Sequence, residues 1–175
     1  VKLGKRLAQC LNMSEKEYRQ TLSKLRAKIK IIENNLREKD YSFDYSIQPA
    51  KAMFKYKKAF IRNDKERYEE FLNNVQSGAI KMNTGTLYPY DIVRSIIYGG
   101  ELSDEEKKSL DVTWNSLPNY TRDENALVVV DGSGSMYYGG NPKPAEVAQS
   151  LAVYFAERNT GLFKNCLLYT SDAAD

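Results

Sequence analysis

A-L-V-V-V-D-G-S-G-S-M, Ala126 to Met136, is the stretch on which the fold turns. Five apolar residues run from Ala126 to Val130 without a polar break, and three of them are valines. That composition predicts a strand buried on both faces, as in a parallel sheet. The run ends in Asp131 and a loop of small residues. Asp131, Ser133 and Ser135 alternate with Gly132 and Gly134, so a curled loop can bring one carboxylate and two hydroxyls to a common point. All three are oxygen donors, the kind that hard divalent cations such as Mg²⁺ select. A loop at the carboxyl end of a parallel strand is also where open α/β sheets bind ligands.

The string Asp131-Gly132-Ser133-Gly134-Ser135-Met136 resembles the first motif of von Willebrand factor A (vWA) domains, Asp-x-Ser-x-Ser. The resemblance implies a metal-ion-dependent adhesion site that holds Mg²⁺ or Mn²⁺. Ser133 and Ser135 would bind the metal directly and Asp131 through a water. A Thr and an Asp from two later loops would complete the shell, and the carboxylate of a protein ligand would take the open position. Other readings of the loop fail on residue type. A phosphate-binding P-loop needs Gly-Lys-Ser/Thr at the start of the helix, and a nucleophile elbow needs G-x-S-x-G. The chain contains no His, the usual general base for a serine nucleophile. A metal-dependent hydrolase using Asp131 lacks a second nearby carboxylate, so a non-enzymatic role is expected.

The chain has 175 residues, 42% of them hydrophobic, enough to build a packed core. No apolar run approaches the roughly 18–20 residues of a membrane helix, and Val1–Leu11 lacks the apolar centre of a signal peptide. No membrane partner is expected. The absence of an initiator Met suggests a chain that begins inside a longer protein. Cys10 and Cys166 stand far apart without metal-ligand spacing and read as free thiols in a reducing, cytoplasmic compartment. Charge is uneven. Residues 1–67 hold 18 Lys/Arg against 8 Asp/Glu, whereas residues 68–175 hold 8 against 15. The basic part is a candidate surface for RNA, with Lys51, Lys55, Lys57 and Lys58 expected on one outward helix face.

Upstream of the strand the sequence reads as capped, amphipathic helices. Leu3, Leu7 and Leu11 mark a first helix. Ser14 and Glu17 form a capping box for a second, expected to run from Glu15 to about Glu38. Tyr41–Gln48 is expected as an extended linker that pins its aromatics onto neighbouring helices. Pro49 opens a helix over Ala50–Arg62, and Lys65–Gln76 follows. Tyr88-Pro89-Tyr90-Asp91 opens another, which stops at Gly99-Gly100. Ser103 and Glu106 are a second capping box, for Asp104–Leu117. Asn119–Asn125 is the expected domain boundary. After the metal loop, Ala145–Arg158 is the crossover helix of a βαβ unit, and Cys166–Thr170 is a candidate next strand. Leu127, Val129, Leu151 and Phe155 are expected to share one cluster.

Two wider resemblances follow from this layout. A helical region followed by a vWA domain is similar to the Ro/TROVE family of RNA-binding proteins. Met13–Leu25, Pro49–Phe60, Leu87–Val93 and Ala126–Asn159 look like an uncharacterised family known only as a domain of unknown function. After Asn165 the chain departs from that family. Cys-Leu-Leu-Tyr-Thr-Ser-Asp-Ala-Ala-Asp resembles translated sequencing-adapter read-through, a non-native tail over residues 166–175.

The expected fold class is α plus α/β. A helical, TROVE-like region (residues 1–120) precedes the first β-loop-α of an incomplete vWA, Rossmann-like domain (residues 126–165). The expected function is a non-enzymatic binding or scaffold protein. Its metal site, Asp131, Ser133 and Ser135, would bind Mg²⁺ weakly in this chain and reach a protein ligand's carboxylate. RNA binding through the basic helices is the alternative.

Overall fold

A computed structural model describes residues 2–29, 31–122 and 125–171. Lys30, Asp123 and Glu124, and the tail Asp172–Asp175, on which parts of the reading above fall, lie outside the described residues. Eight α-helices and one two-stranded parallel sheet are present among the described residues. The chain divides into two compact units, residues 1–44 and 45–175.

The first unit contains α1 (Lys2–Cys10), α2 (Glu15–Lys28) and α3 (Ile32–Glu38). The α1 helix ends where Asn12 takes a left-handed conformation (φ 52°) and the Met13 amide donates to the Ala8 carbonyl at 2.9 Å. Asn tolerates that region better than most side chains. The capping box of α2 forms: the Glu17 amide donates to Ser14 Oγ at 3.2 Å, and the Ser14 amide to Glu17 Oε2 at 2.9 Å. The single helix expected over 15–38 is instead two. Ile29 is extended (φ −81°, ψ 121°), and Asn34 Nδ2 donates to the carbonyls of Arg26 and Ile29 at 2.9 and 3.0 Å. One amide side chain thereby satisfies two carbonyls released at the break. Sequence periodicity misses the break because the apolar stripe continues through it.

The second unit contains α4 (Ala50–Asn63), α5 (Lys65–Gln76), α6 (Pro89–Ile97), α7 (Asp104–Asn115), β1 (Val128–Asp131), α8 (Pro144–Arg158) and β2 (Leu167–Thr170). Tyr45, Phe60, Tyr68 and Phe71 form an aromatic cluster, with ring centroids 5.2–6.3 Å apart among the contacting pairs. Tyr45 thus anchors the linker onto α4 and α5, as expected, and its hydroxyl donates to Asp64 Oδ2 at 2.7 Å. A second core comprises Ala50, Leu87, Ile92, Leu110, Leu117 and Tyr154, flanked by Phe54, Leu102 and Trp114.

Tyr154 belongs to α8, so the crossover helix completes a core otherwise made by α4, α6, α7 and the segments beside them. The compact units therefore part at residue 44, away from the linker at 119–125. The α8 helix is held at both ends. Near its start, Glu146 accepts from the Tyr98 hydroxyl at 2.7 Å and lies 3.3 Å from Arg94 Nε. Near its end, Arg158 donates to the Trp114 carbonyl at 2.7 Å, and its guanidinium lies over the rings of Trp114 and Tyr154. The Tyr154 hydroxyl donates to the Pro118 carbonyl and accepts from the Tyr120 amide.

β1 and β2 pair in parallel, with Val128 opposite Leu167 and Asp131 opposite Thr170. β1 is covered on one face only, not on both as its composition predicts, and the covered face is the reverse of the one expected to meet α8. Val130 is 4% exposed and Val128 half-buried, whereas Val129 is 59% exposed. Leu127, Leu151 and Phe155 are each more than a third exposed, so the expected four-residue cluster is not formed as a buried core. A strand's side chains alternate, and a one-residue shift exchanges its faces. A run of apolar residues carries no alternation from which to read that choice. The buried surface of α8 comes from Ala145, Glu146, Ser150, Ala152, Tyr154 and Ala156; the alanines and the serine are small and permit close packing around the two larger side chains.

Candidate functional site

The Asp131–Ser135 loop leaves the carboxyl end of β1, and a 3-10 turn over Gly134–Tyr137 follows it. Its form is set by short hydrogen bonds. Asp131 Oδ1 accepts from the Ser133 amide at 2.9 Å, so the carboxylate folds back over its own loop. The Ser133 carbonyl accepts from the Met136 amide at 3.0 Å, and the Ser135 carbonyl from the Tyr138 amide at 3.3 Å. The Gly132 amide donates to the Thr170 carbonyl at 2.7 Å, which ties the loop to the neighbouring strand. A Cβ at Gly132 would lie 2.2 Å from the ring of Tyr169, so a larger residue there would have to displace that exposed side chain.

The two serine hydroxyls stand 3.4 Å apart, and Asp131 is exposed beside them. Adjacent ligands on an octahedral Mg²⁺ with bonds near 2.1 Å are about 3 Å apart. The pair therefore needs only a few tenths of an ångström to serve as adjacent ligands, and the donor set fits the metal. Hydrogen bonding from Ser133, side chain first and then backbone, holds the Asp131 carboxyl below its ordinary value. It is thus charged at neutral pH. Asp131 is the loop's single carboxylate, and no group of three or more His, Cys, Asp or Glu among the described residues is placed to hold a metal. Water or other donors would supply the rest of the shell.

Tyr137 and Gln149 also flank this loop, and the sequence reading did not single them out. Gln149 Nε2 donates to the Tyr137 hydroxyl at 3.1 Å, and that hydroxyl lies 2.8 Å from the Tyr169 hydroxyl. A Gln twelve residues beyond a Tyr carries no spacing signal; only the fold brings the pair together.

The four lysines behave differently from one another. Lys57, expected outward, is a correction: it is 6% exposed. Its ammonium donates to Ser95 Oγ at 3.1 Å and the Phe54 carbonyl at 3.3 Å, and lies 3.9 Å from the Phe54 ring centroid. Burial, with lesser repulsion from Lys58, pulls its pKa down. The cause lies in the helix period: Met53, Lys57 and Phe60 share the buried face of α4. Lys51 and Lys58 remain exposed and face carboxylates, Lys51 at 3.6 Å from Asp91 and Lys58 at 2.9 Å from Glu106. Lys55 lies over the Tyr56 ring at 4.8 Å.

Among the described residues no helix is long and apolar enough to cross a membrane. Cys10 and Cys166 are both free and exposed. Comparison with known proteins gives a family without an assigned role. Residues 4–127 match the family described as a domain of unknown function, DUF2828, and the chain belongs to that family. It is also 25% identical over 165 residues to the uncharacterized protein L728 of Acanthamoeba polyphaga mimivirus. That alignment covers 86% of this chain and 28% of the viral protein, so the chain spans little more than a quarter of that relative's length. No solved structure matches the chain.

Proposed function

We propose that this member of the DUF2828 family is a non-enzymatic binding protein whose Asp131–Ser135 loop holds Mg²⁺ or Mn²⁺ and presents it to a partner's carboxylate. In this reading the β1–loop–α8 segment is the opening of a vWA-type domain, preceded by a TROVE-like helical region. One observation carries it: an ionised Asp131 stands beside two hydroxyls 3.4 Å apart, at the carboxyl end of a strand in a parallel pair. The charge-bearing group and both neutral donors come from five consecutive residues, so the loop can offer them without any rearrangement of the core. The free, exposed Cys10 and Cys166 support a reducing, cytoplasmic setting.

Three loop donors leave about half of an octahedral shell to water, with one negative charge facing two positive ones. Binding by this chain should accordingly be in the millimolar range or weaker, the weak end of oxygen-ligand sites. The test is calorimetric titration of Mg²⁺ and Mn²⁺ into the chain and its Asp131→Ala variant. The variant should lose the binding heat while its far-ultraviolet circular dichroism stays unchanged. Equal affinity in the two proteins would make Asp131 a turn residue and end the metal reading.

A further inference from the structure

With Lys57 turned inward, the outer face of α4 carries Lys51, Lys55, Lys58 and Arg62, all exposed. Steps of four, three and four residues put them on one side of the helix, in a line about 16 Å long. At the Lys51 end stands an aromatic pair, Tyr88 exposed and Tyr90 half-buried. Tyr88, 56% exposed, stacks on Tyr90 with centroids 5.6 Å apart and planes 6° from parallel. Pro89 between them occupies the first turn of α6, and the Asp91 carboxylate accepts from the Tyr88 amide at 3.0 Å, so the backbone under the pair is fixed. Lys51 Nζ lies 5.6 Å from the centroid of the Tyr88 ring.

We propose that this line of cations and the Tyr88–Tyr90 pair form a binding site for single-stranded nucleic acid, with phosphates along α4 and a base against the tyrosines. A line of cations beside a flat aromatic platform supplies the two contacts, phosphate and base, by which unpaired strands are held. An acidic peptide would use the cations and leave the platform idle. A duplex would offer phosphates and keep its bases stacked inside. The carboxylates facing Lys51 and Lys58 do not close the site. Both lysine side chains are more than half exposed while their carboxylate partners are more covered, so a phosphate would share each three-donor ammonium with its carboxylate and not displace it.

The test is fluorescence anisotropy of a labelled twelve-nucleotide oligouridylate with the 175-residue chain, between 50 and 200 mM salt. Wild type should bind with a log–log salt slope of about −3, near −0.7 for each of four phosphates. Tyr88→Ala with Tyr90→Ala should weaken binding by roughly tenfold, within the range of one lost base stack. Tyr88→Phe with Tyr90→Phe should restore it, which separates stacking from a folding defect. Lys55→Glu with Arg62→Glu should flatten the slope, and Lys81→Glu, outside the line, should not. An abasic twelve-mer should bind wild type as weakly as the alanine variant binds oligouridylate. Equal binding of abasic and uridylate strands overturns the proposal, as does polyglutamate binding as tightly as either. No measurable binding of oligouridylate at 50 mM salt overturns it outright.

Discussion

Lys57 and Tyr68 show how single side chains set the energetics of the helical core. Lys57 keeps an ammonium where water is excluded, with a hydroxyl, a carbonyl and an aromatic ring around it. Because burial lowers its pKa, the unfolded chain binds the extra proton more readily, and folding gains as pH rises toward the ordinary lysine value of 10.5. Lys57→Met should therefore stabilise the chain at pH 7, by about 1 kcal/mol in urea unfolding, with a smaller gain near pH 10. Tyr68 has the opposite sign. Its hydroxyl is 2.8 Å from Ser109 Oγ in a buried site, and burial pushes its pKa up to about 12. Below pH 10 the phenol is neutral in both states. Between pH 10 and 12 only the unfolded state ionises, so stability falls as pH rises through that window, by about 2–3 kcal/mol in all. Tyr68→Phe should cost about 1–2 kcal/mol at neutral pH, since Ser109 loses its partner, and should make the alkaline loss shallower. Unfolding midpoints between pH 7 and 11 check both statements. Tyr45, also raised by burial, will keep part of the alkaline loss in place.

The elements differ in how far the sequence discloses them. Capping boxes at Ser14 and Ser103 each satisfy backbone groups within four residues, so local sequence suffices to place α2 and α7. The break after Lys28 depends on Asn34 reaching back to Arg26 and Ile29, and no propensity marks it. The end of β1 at Asp131 and the small-residue loop after it were legible, because the apolar run stops there and glycines and serines follow. The parity of β1 was not, because it depends on α8 packing under Val128 and Val130. β2 is the instructive case. It pairs through the backbone, yet all four of its side chains are exposed. Pairing of that kind makes little demand on side-chain identity. Ending the chain at Asn165 should therefore lower the thermal midpoint by no more than about 2 °C, since little apolar area is uncovered. A fall of 8 °C or more would mean that residues 166–171 are an integral part of the core.

At the scale of the whole molecule, the informative fact is where the compact units part. Sequence reading places the boundary at the polar linker 119–125 because composition changes there. Composition cannot reveal that Tyr154, 2% exposed, crosses back into the core of Leu110 and Leu117. Residues 45–175 produced alone should unfold in one cooperative transition, followed by the near-ultraviolet signal of Trp114. Residues 45–120 should not, because removal of α8 uncovers the pocket of Tyr154 and leaves Arg94 and Tyr98 without Glu146. A sharp transition in the shorter piece would restore the linker as the true division.

The seat of Tyr154 also limits how such a chain can change over generations. A recombination event in the linker would bring in a new β1–α8 loop together with a helix whose side chain at position 154 need not fit the old cavity. Substitutions at Leu110 or Leu117 would likewise be felt at Tyr154, on the helix that follows the loop. A change that enlarges or empties the seat of Tyr154 would thus have to be matched by a second change on α8 for the helices and the loop to keep their fit.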